Sequence, residues 1–436
     1  MIIAKDIKQK LLEGGAWVFG GKVATVCLGL VTHALLARLL PIEEFGAYFL
    51  LLSAVNVAVM LAQLGLNQTV VRFISEALAV RAFDRAARVL GLAICFCVCG
   101  AIVVASLFAF LGGQWVAKVV FSSPPMAATT GIASLWIVTL ALQQLFAESF
   151  RGLHDIRFAT VFGGLITSVL VVGALLLLWF SGCRVSLHTV VSLCVVASGV
   201  SALMAGILIL RRLPLRLATQ KPSAGEVWHV AWPLLGTSLM LFVLTQVDIW
   251  ILGAVRGADE VAVYGAATRL MSLVSMPLLI VNGVVPPIIA QMYTQRKTAE
   301  LEHILRTTAT FAGVPSLIVL VIFIFWGGDV LSMVYGPSFS QATGILLFLS
   351  VGQMVNVWAG SCGLTLMMTG HQIEILVITL LTGFVTTIMA LITVQPWGGL
   401  GVAGSAMGGM ILQNLAMLGM TYRRVGIRTN MSFVLR

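Results

Sequence analysis

Three ionisable residues lie inside long apolar stretches of the sequence: Lys22, Asp248 and Arg269. A charged side chain within a bilayer is costly, so each of them marks a candidate site or a partner for another charge. Asp248 lies ten residues before Ala258 and Arg269 lies eleven after it. On two antiparallel helices joined near Ala258 they would reach the same depth. The spacing predicts either a structural ion pair or a functional pair, in which Arg269 binds a phosphate group bidentately and Asp248 releases it on protonation or ion binding.

Lys22 begins a polar stripe along the first apolar stretch. The members recur at helical spacing on one face, and they are Lys22, Thr25, Gly29, Thr32 and His33. Lys22 lies about five to seven residues inside the expected membrane boundary, roughly 10 Å along a helix. Its amine therefore either reaches back to the interface or serves as a binding site. We expect His33 to form a hydrogen bond in helix packing rather than to relay protons.

Two further stripes consist mainly of neutral polar residues. They are Ser53, Asn56, Met60, Gln63 and Asn67 in one segment, and Gln353, Asn356 and Gly360 in another. Polar stripes in membrane helices usually join helices by hydrogen bonds, and lining a wet cavity is the alternative. The candidate cavity residues are Thr25, His33, Asn56, Gln63, Gln353 and Asn356.

The composition places these residues in membrane helices. Of 436 residues 59% are hydrophobic and 10% are charged, and the mean hydropathy is +1.05. Soluble domains usually carry about a quarter charged residues, so a soluble globule is excluded. A spanning helix needs roughly 20 apolar residues. The sequence therefore predicts an all-α polytopic membrane protein with about 12 spans, near residues 15–40, 46–66, 88–111, 129–147, 158–180, 187–210, 228–254, 261–290, 307–327, 341–368, 373–395 and 399–421.

The sequence carries no pattern typical of an enzyme. Little of the chain is left for a large extramembrane catalytic domain, and no nucleophile constellation, metal motif or phosphate-binding glycine loop occurs. We therefore expect a protein without catalytic residues, bound metal or cofactor. The energy for any transport would come from an ion gradient, with H⁺ and Na⁺ both open, from the membrane potential, or from consumption of the product.

The basic residues are distributed unevenly. When connections are counted alternately, one side carries 20 Lys and Arg residues and the other carries 4, which accounts for all but Lys22 and Arg269 of the 26. Short cytoplasmic loops are enriched in Lys and Arg. The net charge of +10 therefore indicates topology rather than nucleic-acid binding, and it predicts that both termini are cytoplasmic.

The sequence repeats itself. A shift of 216 positions (257 − 41) places PIEEFGAY at 41–48 over GADEVAVY at 257–264, so Glu44 and Tyr48 fall on Glu260 and Tyr264. The repeat predicts two six-helix lobes, 1–220 and 221–436, joined by a linker at about 211–226. An even number of spans makes the repeats parallel, so we expect a pseudo-two-fold axis along the membrane normal and matching polar faces that face each other across it.

Four segments carry a resemblance to a known family: ARLLPIEEFGAY at 37–48, LGLNQTVVRF at 64–73, YGAATRL at 264–270 and YGPSF at 335–339. With these, the whole chain resembles the polysaccharide-transport flippases of O-antigen type, which belong to the multidrug/oligosaccharidyl-lipid/polysaccharide exporter superfamily. The resemblance implies a MATE-like, V-shaped pair of six-helix bundles in the bacterial inner membrane. It implies that an undecaprenyl-pyrophosphate-linked oligosaccharide moves by alternating access to the outer leaflet, for assembly of lipopolysaccharide or another surface polysaccharide.

On this interpretation Lys22 and Arg269 would bind the pyrophosphate, and the prenyl tail would stay among the membrane lipids. We expect a monomer, which would associate with proteins of polysaccharide assembly. The closest rival is a cation-coupled multidrug exporter of the same superfamily, which would favour an acidic or aromatic cavity. A glycosyl polymerase or ligase would need a large outer loop, and no outer connection exceeds about 20 residues.

Overall fold

The computed structural model describes residues 2–79, 82–212 and 246–432, and at 2–19, 79 and 287 it describes the backbone alone. These residues form helices and connections, and no strand occurs among them. The predicted all-α class is confirmed. The chain divides into two compact units, Met1–Gln246 and Val247–Arg436. The predicted linker after Arg212 and the predicted lobe boundary at 220 lie outside the described residues.

Unit 1 contains seven described helices, one more than its predicted six spans. They are α1 (Ile2–Leu39), α2 (Ile42–Gln63), α3 (Leu66–Ala79), α4 (Phe83–Val120), α5 (Pro124–Gly152), α6 (Ile156–Ser181) and α7 (Leu187–Arg212). The extra helix is α3, in which Leu66, Val70, Ile74 and Ala77 are buried. These residues recur at intervals of three and four, so α3 packs one apolar face against α4 and α5.

Helix α5 is the centre of unit 1, because it packs against α2, α3, α4 and α7. Its contact with α7 is the most extensive. Small residues of α7 permit the close approach, and a Cβ at Gly206 would lie 3.2 Å from the ring of Phe146.

Unit 2 also contains seven described helices. They are α8 (Gln246–Val255), α9 (Ala258–Asn282), α10 (Val285–Thr294), α11 (Thr298–Tyr335), α12 (Thr343–Ala359), α13 (Cys362–Met368) and α14 (Gln372–Val425). A 3₁₀ turn, Pro337–Ala342, leads into α12. Helix α12 is the centre of this unit, in contact with α9, α11 and α14.

Helix α14 is a hairpin of two arms. Gln413 Nε2 donates to Thr379 Oγ1 at 3.2 Å, and the hydroxyls of Thr393 and Ser405 are 3.0 Å apart. In a straight helix Thr379 and Gln413 would be roughly 50 Å apart. The chain reverses at Gly398, where φ is 55° and ψ is −137°. The two arms correspond to the predicted spans 373–395 and 399–421.

Ten helices of the described chain are long and apolar enough to cross a membrane. Both arms of α14 count as spans, and α8 is the described part of the predicted span 228–254. The described residues therefore provide eleven of the twelve predicted spans and the end of the remaining one, and the protein is a multi-pass membrane protein.

Candidate functional site

The repeated acidic turn makes the same contact in both units. Glu44 Oε2 accepts a hydrogen bond from the backbone N–H of Leu187, the first residue of α7, at 2.5 Å. Glu260 Oε2 accepts one from the N–H of Gly399, where the second arm of α14 begins, at 2.8 Å. The first N–H groups of a helix lack partners within it, and a carboxylate is favourable there. The sequence repeat is therefore also a repeat of contacts.

Arg256 adds contacts to this turn in unit 2. Its guanidinium donates to the carbonyls of Val394 and Gln395 at 3.1 and 2.6 Å and lies 3.8 Å from Glu260. The position 216 residues earlier is Leu40, which has no charge. The tip of the α14 hairpin is thus held by two charged residues.

Asp248 has a different partner from the predicted one. The partly buried carboxylate, on α8, accepts a hydrogen bond from Tyr264 Oη on α9 at 3.1 Å, and Tyr264 is only 1% exposed. The described contacts include this bond and no Asp248–Arg269 ion pair, which is one of the two alternatives that the spacing predicts. Tyr264 lies five residues nearer the turn than Arg269, about 7.5 Å along the helix, and its long side chain reaches Asp248 from there. The count of residues from the turn predicted the depth but not the direction of the side chains.

Arg269 lies further along α9 and is partly buried. Its charge acts on the hydroxyl of Tyr335, at the end of α11. Tyr335 is 1% exposed, and its hydroxyl has no hydrogen-bond partner in the described chain. Asp248 is therefore bonded to a buried tyrosine, Tyr264, that sequence analysis did not propose as a site residue. The repeat itself was a signal for Tyr264, because it aligns with Tyr48.

Lys22 and Thr25 lie on α1 in unit 1. Lys22 is exposed and makes no hydrogen bond or ion pair with another described residue. Thr25 Oγ1 donates to the carbonyl of Gly21 in its own helix at 2.8 Å. The exposed amine is compatible with both predictions for Lys22, which stay open.

His33 is packed inside unit 1. The ring is 7% exposed and stacks on Phe49 at 5.4 Å between centroids, and Nδ1 lies 2.6 Å from the carbonyl oxygen of Gly29. The ring of Tyr48 forms a T-shaped pair with it, with 6.0 Å between the centroids. These contacts favour the predicted packing role over a place on the surface of a polar cavity.

The polar stripe of α2 is largely used within unit 1. Gln63, which is 3% exposed, donates to the carbonyl of Ala141 at 3.2 Å and to Gln144 Oε1 at 3.0 Å, and its own Oε1 accepts from Asn67 at 2.7 Å. Asn56 Nδ2 donates to Leu52 of its own helix at 2.8 Å. Gln63 therefore joins α2, α3 and α5 by hydrogen bonds, which favours the first of the two alternatives for this stripe.

The stripe of α12 is different. Gln353 and Asn356 are both partly exposed, and Asn356 Nδ2 donates to Gln353 Oε1 at 3.1 Å. No other side-chain hydrogen bond of these two residues occurs among the described residues. Just beyond them the helix breaks at Gly360 and Ser361, and Ser361 Oγ donates to Asn282 Oδ1 at 2.7 Å.

Sequence analysis did not identify Gln143 on α5. Its Nε2 donates to the carbonyl of Phe162 at 2.9 Å and to Thr167 Oγ1 at 2.7 Å. This bond satisfies a carbonyl beside the interruption of α6 at Gly164, where φ is 151°. The role is structural, and a glutamine in an apolar span before the Gly163-Gly164 pair was the available signal. Within 2–79, 82–212 and 246–432, no three His, Cys, Asp or Glu side chains cluster as a metal site requires.

Comparisons with known proteins agree with this architecture. The family model described as "Polysaccharide biosynthesis protein" matches residues 11–293, and a second, MatE, matches 233–393. No curated protein has a matching sequence.

Several solved structures share the fold. An inward-facing multidrug resistance MATE family transporter of the MOP superfamily has a TM-score of 0.79 at 14% identity, covering 92% of this chain and 94% of its own. The lipid II flippase MurJ, in an inward closed conformation, has a TM-score of 0.69 at 13% identity, covering 92% and 87%. A MOP superfamily transporter from Pyrococcus furiosus, whose binding pocket is described as having reverse polarity, has a TM-score of 0.62 at 16% identity, covering 96% and 95%. At these identities the likeness establishes the fold alone.

Proposed function

The chain belongs to the polysaccharide biosynthesis protein family, and we propose that it is a flippase for an undecaprenyl-pyrophosphate-linked oligosaccharide. It would move this substrate from the cytoplasmic to the outer leaflet by alternating access, for assembly of a cell-surface polysaccharide such as O-antigen. The observation that carries the proposal is the family match over residues 11–293. The shared fold with a lipid II flippase supports it.

Arg269 is the proposed cation for the pyrophosphate, because a guanidinium binds phosphate oxygens bidentately and keeps its charge in a membrane. The hydroxyl of Tyr335, on which the charge of Arg269 acts, has no hydrogen-bond partner in the described chain and would offer an O–H donor to the same anion. Lys22 is the proposed second cation, and its exposure supports this role.

Asp248 is the proposed coupling group. Tyr264 donates a hydrogen bond to its carboxylate, which favours the ionised form, and the apolar surroundings favour the neutral form. A carboxylate in such surroundings can bind H⁺ or Na⁺ and thereby lose its negative charge. The coupling ion itself is open between these two.

Gln353 and Asn356 are the proposed contacts for the glycan, because sugars require neutral donors and acceptors. Their partial exposure and their single mutual hydrogen bond support this role. Gln63 and His33 are assigned to packing. The prenyl tail would stay among the membrane lipids, and the protein would act as a monomer in the bacterial inner membrane with both termini cytoplasmic.

A cation-coupled multidrug exporter is the second candidate, because the MatE model matches residues 233–393 and MATE transporters share the fold. A transport assay with the purified protein in proteoliposomes separates the two. One set of vesicles contains the lipid-linked oligosaccharide, whose arrival in the opposite leaflet is followed with an impermeant sugar-modifying reagent. The other set contains a cationic fluorescent drug and an imposed H⁺ or Na⁺ gradient.

The flippase proposal predicts movement of the lipid-linked sugar above protein-free vesicles and no gradient-driven drug transport. Drug transport without sugar movement would refute it in favour of the exporter. A protein that moves neither compound would refute both.

A further inference from the structure

Residues 426–432, which follow α14, form an extended strap across one end of unit 2. Gly426, with φ at 76°, ends α14, and beyond it buried residues alternate with exposed or partly exposed ones. Ile427, Thr429 and Met431 are 0%, 0% and 5% exposed, whereas Arg428 is exposed. A period of two is typical of an extended chain that packs one side against a surface.

The buried side of the strap fits specific places in unit 2. Ile427 lies in an apolar cluster with residues of α10 and α11, which are Val285, Ile289, Leu301 and Leu305. Met431 lies against Gly313 of α11, where an added Cβ would be 2.2 Å from the methionine sulfur. Ser432 N–H donates to Thr310 Oγ1 at 3.2 Å. The strap is therefore a packed part of the unit.

The strap also occupies the break between α12 and α13. Gly360 has φ 70° and ψ −151°, a conformation restricted essentially to glycine. Carbonyls at the end of a helix lack partners within it. Thr429 Oγ1 donates to the carbonyl of Ala359 at 2.8 Å, and Met431 N–H donates to the carbonyl of Trp358 at 2.9 Å. The strap thus supplies hydrogen-bond donors to carbonyls at the end of α12.

We propose that Thr429 and Met431 are positioning residues for the polar face of α12. Asn356 and Gln353 lie four and seven residues before Gly360, within about two helical turns of the break. A helix end that loses its partners opens locally, so loss of the strap contacts would let this face move. The inference rests on the proposed function only where it concerns the substrate.

Hydrogen exchange tests the positioning directly. Thr429→Val removes one hydroxyl and keeps the shape, and Thr382→Val is the matched control, because Thr382 Oγ1 donates to Ile378 within its own helix at 2.7 Å. We expect amides in residues 350–365 to exchange at least about fivefold faster in Thr429→Val, as loss of one hydrogen bond implies. Thr382→Val should leave this region unchanged, and Thr429→Ser, which keeps a hydroxyl, should restore slow exchange.

Transport kinetics provide a second measurement, because general destabilisation would not raise KM while leaving kcat unchanged. In proteoliposomes Thr429→Val should raise the KM for the lipid-linked oligosaccharide about threefold or more, with kcat within twofold of wild type. Equal exchange in Thr429→Val and Thr382→Val, or faster exchange without a change in KM, would overturn the inference. A wild-type protein that does not move the oligosaccharide would refute the proposed function, and the exchange measurement would still decide whether the strap fixes the break.

Discussion

The two units share the contact made by their acidic turn, and they differ in the contacts of the tyrosine four residues after it. Glu44 and Glu260 both bind the first N–H group of the last span of their unit. The tyrosines that follow them in the repeat have different neighbours. The ring of Tyr48 packs against that of His33, and Tyr264 donates a hydrogen bond to Asp248. The repeat is preserved where it builds the bundle and has diverged where a partly buried charge is placed.

The polar stripes show the same contrast. Gln63 of unit 1 uses its amide in three hydrogen bonds to neighbouring side chains and backbone. Gln353 and Asn356 of unit 2 bond to each other and remain partly exposed. We infer that unit 1 contributes mainly framework and that unit 2 carries most of the residues that meet the substrate and the coupling ion.

The largest expected difference between the units is at Asp248. Asp248→Asn should reduce transport at least about a hundredfold, or about 2.7 kcal/mol, because the amide cannot take up H⁺ or Na⁺ in the same way. The matched control is Thr32→Val, at the position 216 residues earlier in unit 1. It should stay within about twofold of wild type, since it loses only a bond to the Leu28 carbonyl of its own helix. Initial rates in proteoliposomes measure both variants, and equal losses would contradict the assignment of coupling to unit 2.

A second test replaces each of the two glutamines, Gln63 and Gln353, with leucine. Gln63→Leu should lower the free energy of unfolding by about 2 kcal/mol, because Asn67 and Gln144 lose a buried partner, and it should leave KM unchanged. Gln353→Leu should change stability by less than about 0.5 kcal/mol and raise KM. Denaturant unfolding in detergent and the transport assay give the two quantities. If the two variants exchanged these effects, the contrast between framework and site would be wrong.

The smallest effects concern the shared turn. Glu44→Ala and Glu260→Ala should each cost about 1 kcal/mol of stability, the usual loss when a helix start loses its capping group. Glu43 and Asp259, the adjacent acids, are exposed and make no described hydrogen bond. Their alanine variants are matched controls and should cost less than about 0.5 kcal/mol. Equal melting temperatures for all four variants would show that the turn is not a structural contact.

Much of the architecture could be predicted from the sequence, because apolar length, basic asymmetry and an internal repeat are direct consequences of membrane insertion. The all-α class, the separate spans on either side of Gly398 and the resemblance to the polysaccharide-transport family were predicted and confirmed. Helix α3 was missed because its apolar face covers only one side of a short segment in a basic connection.

The side-chain partners were harder to predict. Counting residues from a turn gives the depth of Asp248 and Arg269 but not their rotation about the helix axis, so Tyr264 was not foreseen as the partner of Asp248. The strap at 426–432 could not be predicted, since its alternating pattern spans only a few residues after a helix and its partners are distant in sequence.

We propose that Arg269 and Lys22 bind the pyrophosphate of a lipid-linked oligosaccharide. The most direct test is the rate of oligosaccharide movement in proteoliposomes with Arg269→Ala, Lys22→Ala and, as a control, Arg184→Ala in an exposed connection. We predict that the first two variants lose at least about tenfold in rate, about 1.4 kcal/mol, and that the control matches wild type. Full activity in both Arg269→Ala and Lys22→Ala would show that these side chains are not the pyrophosphate site.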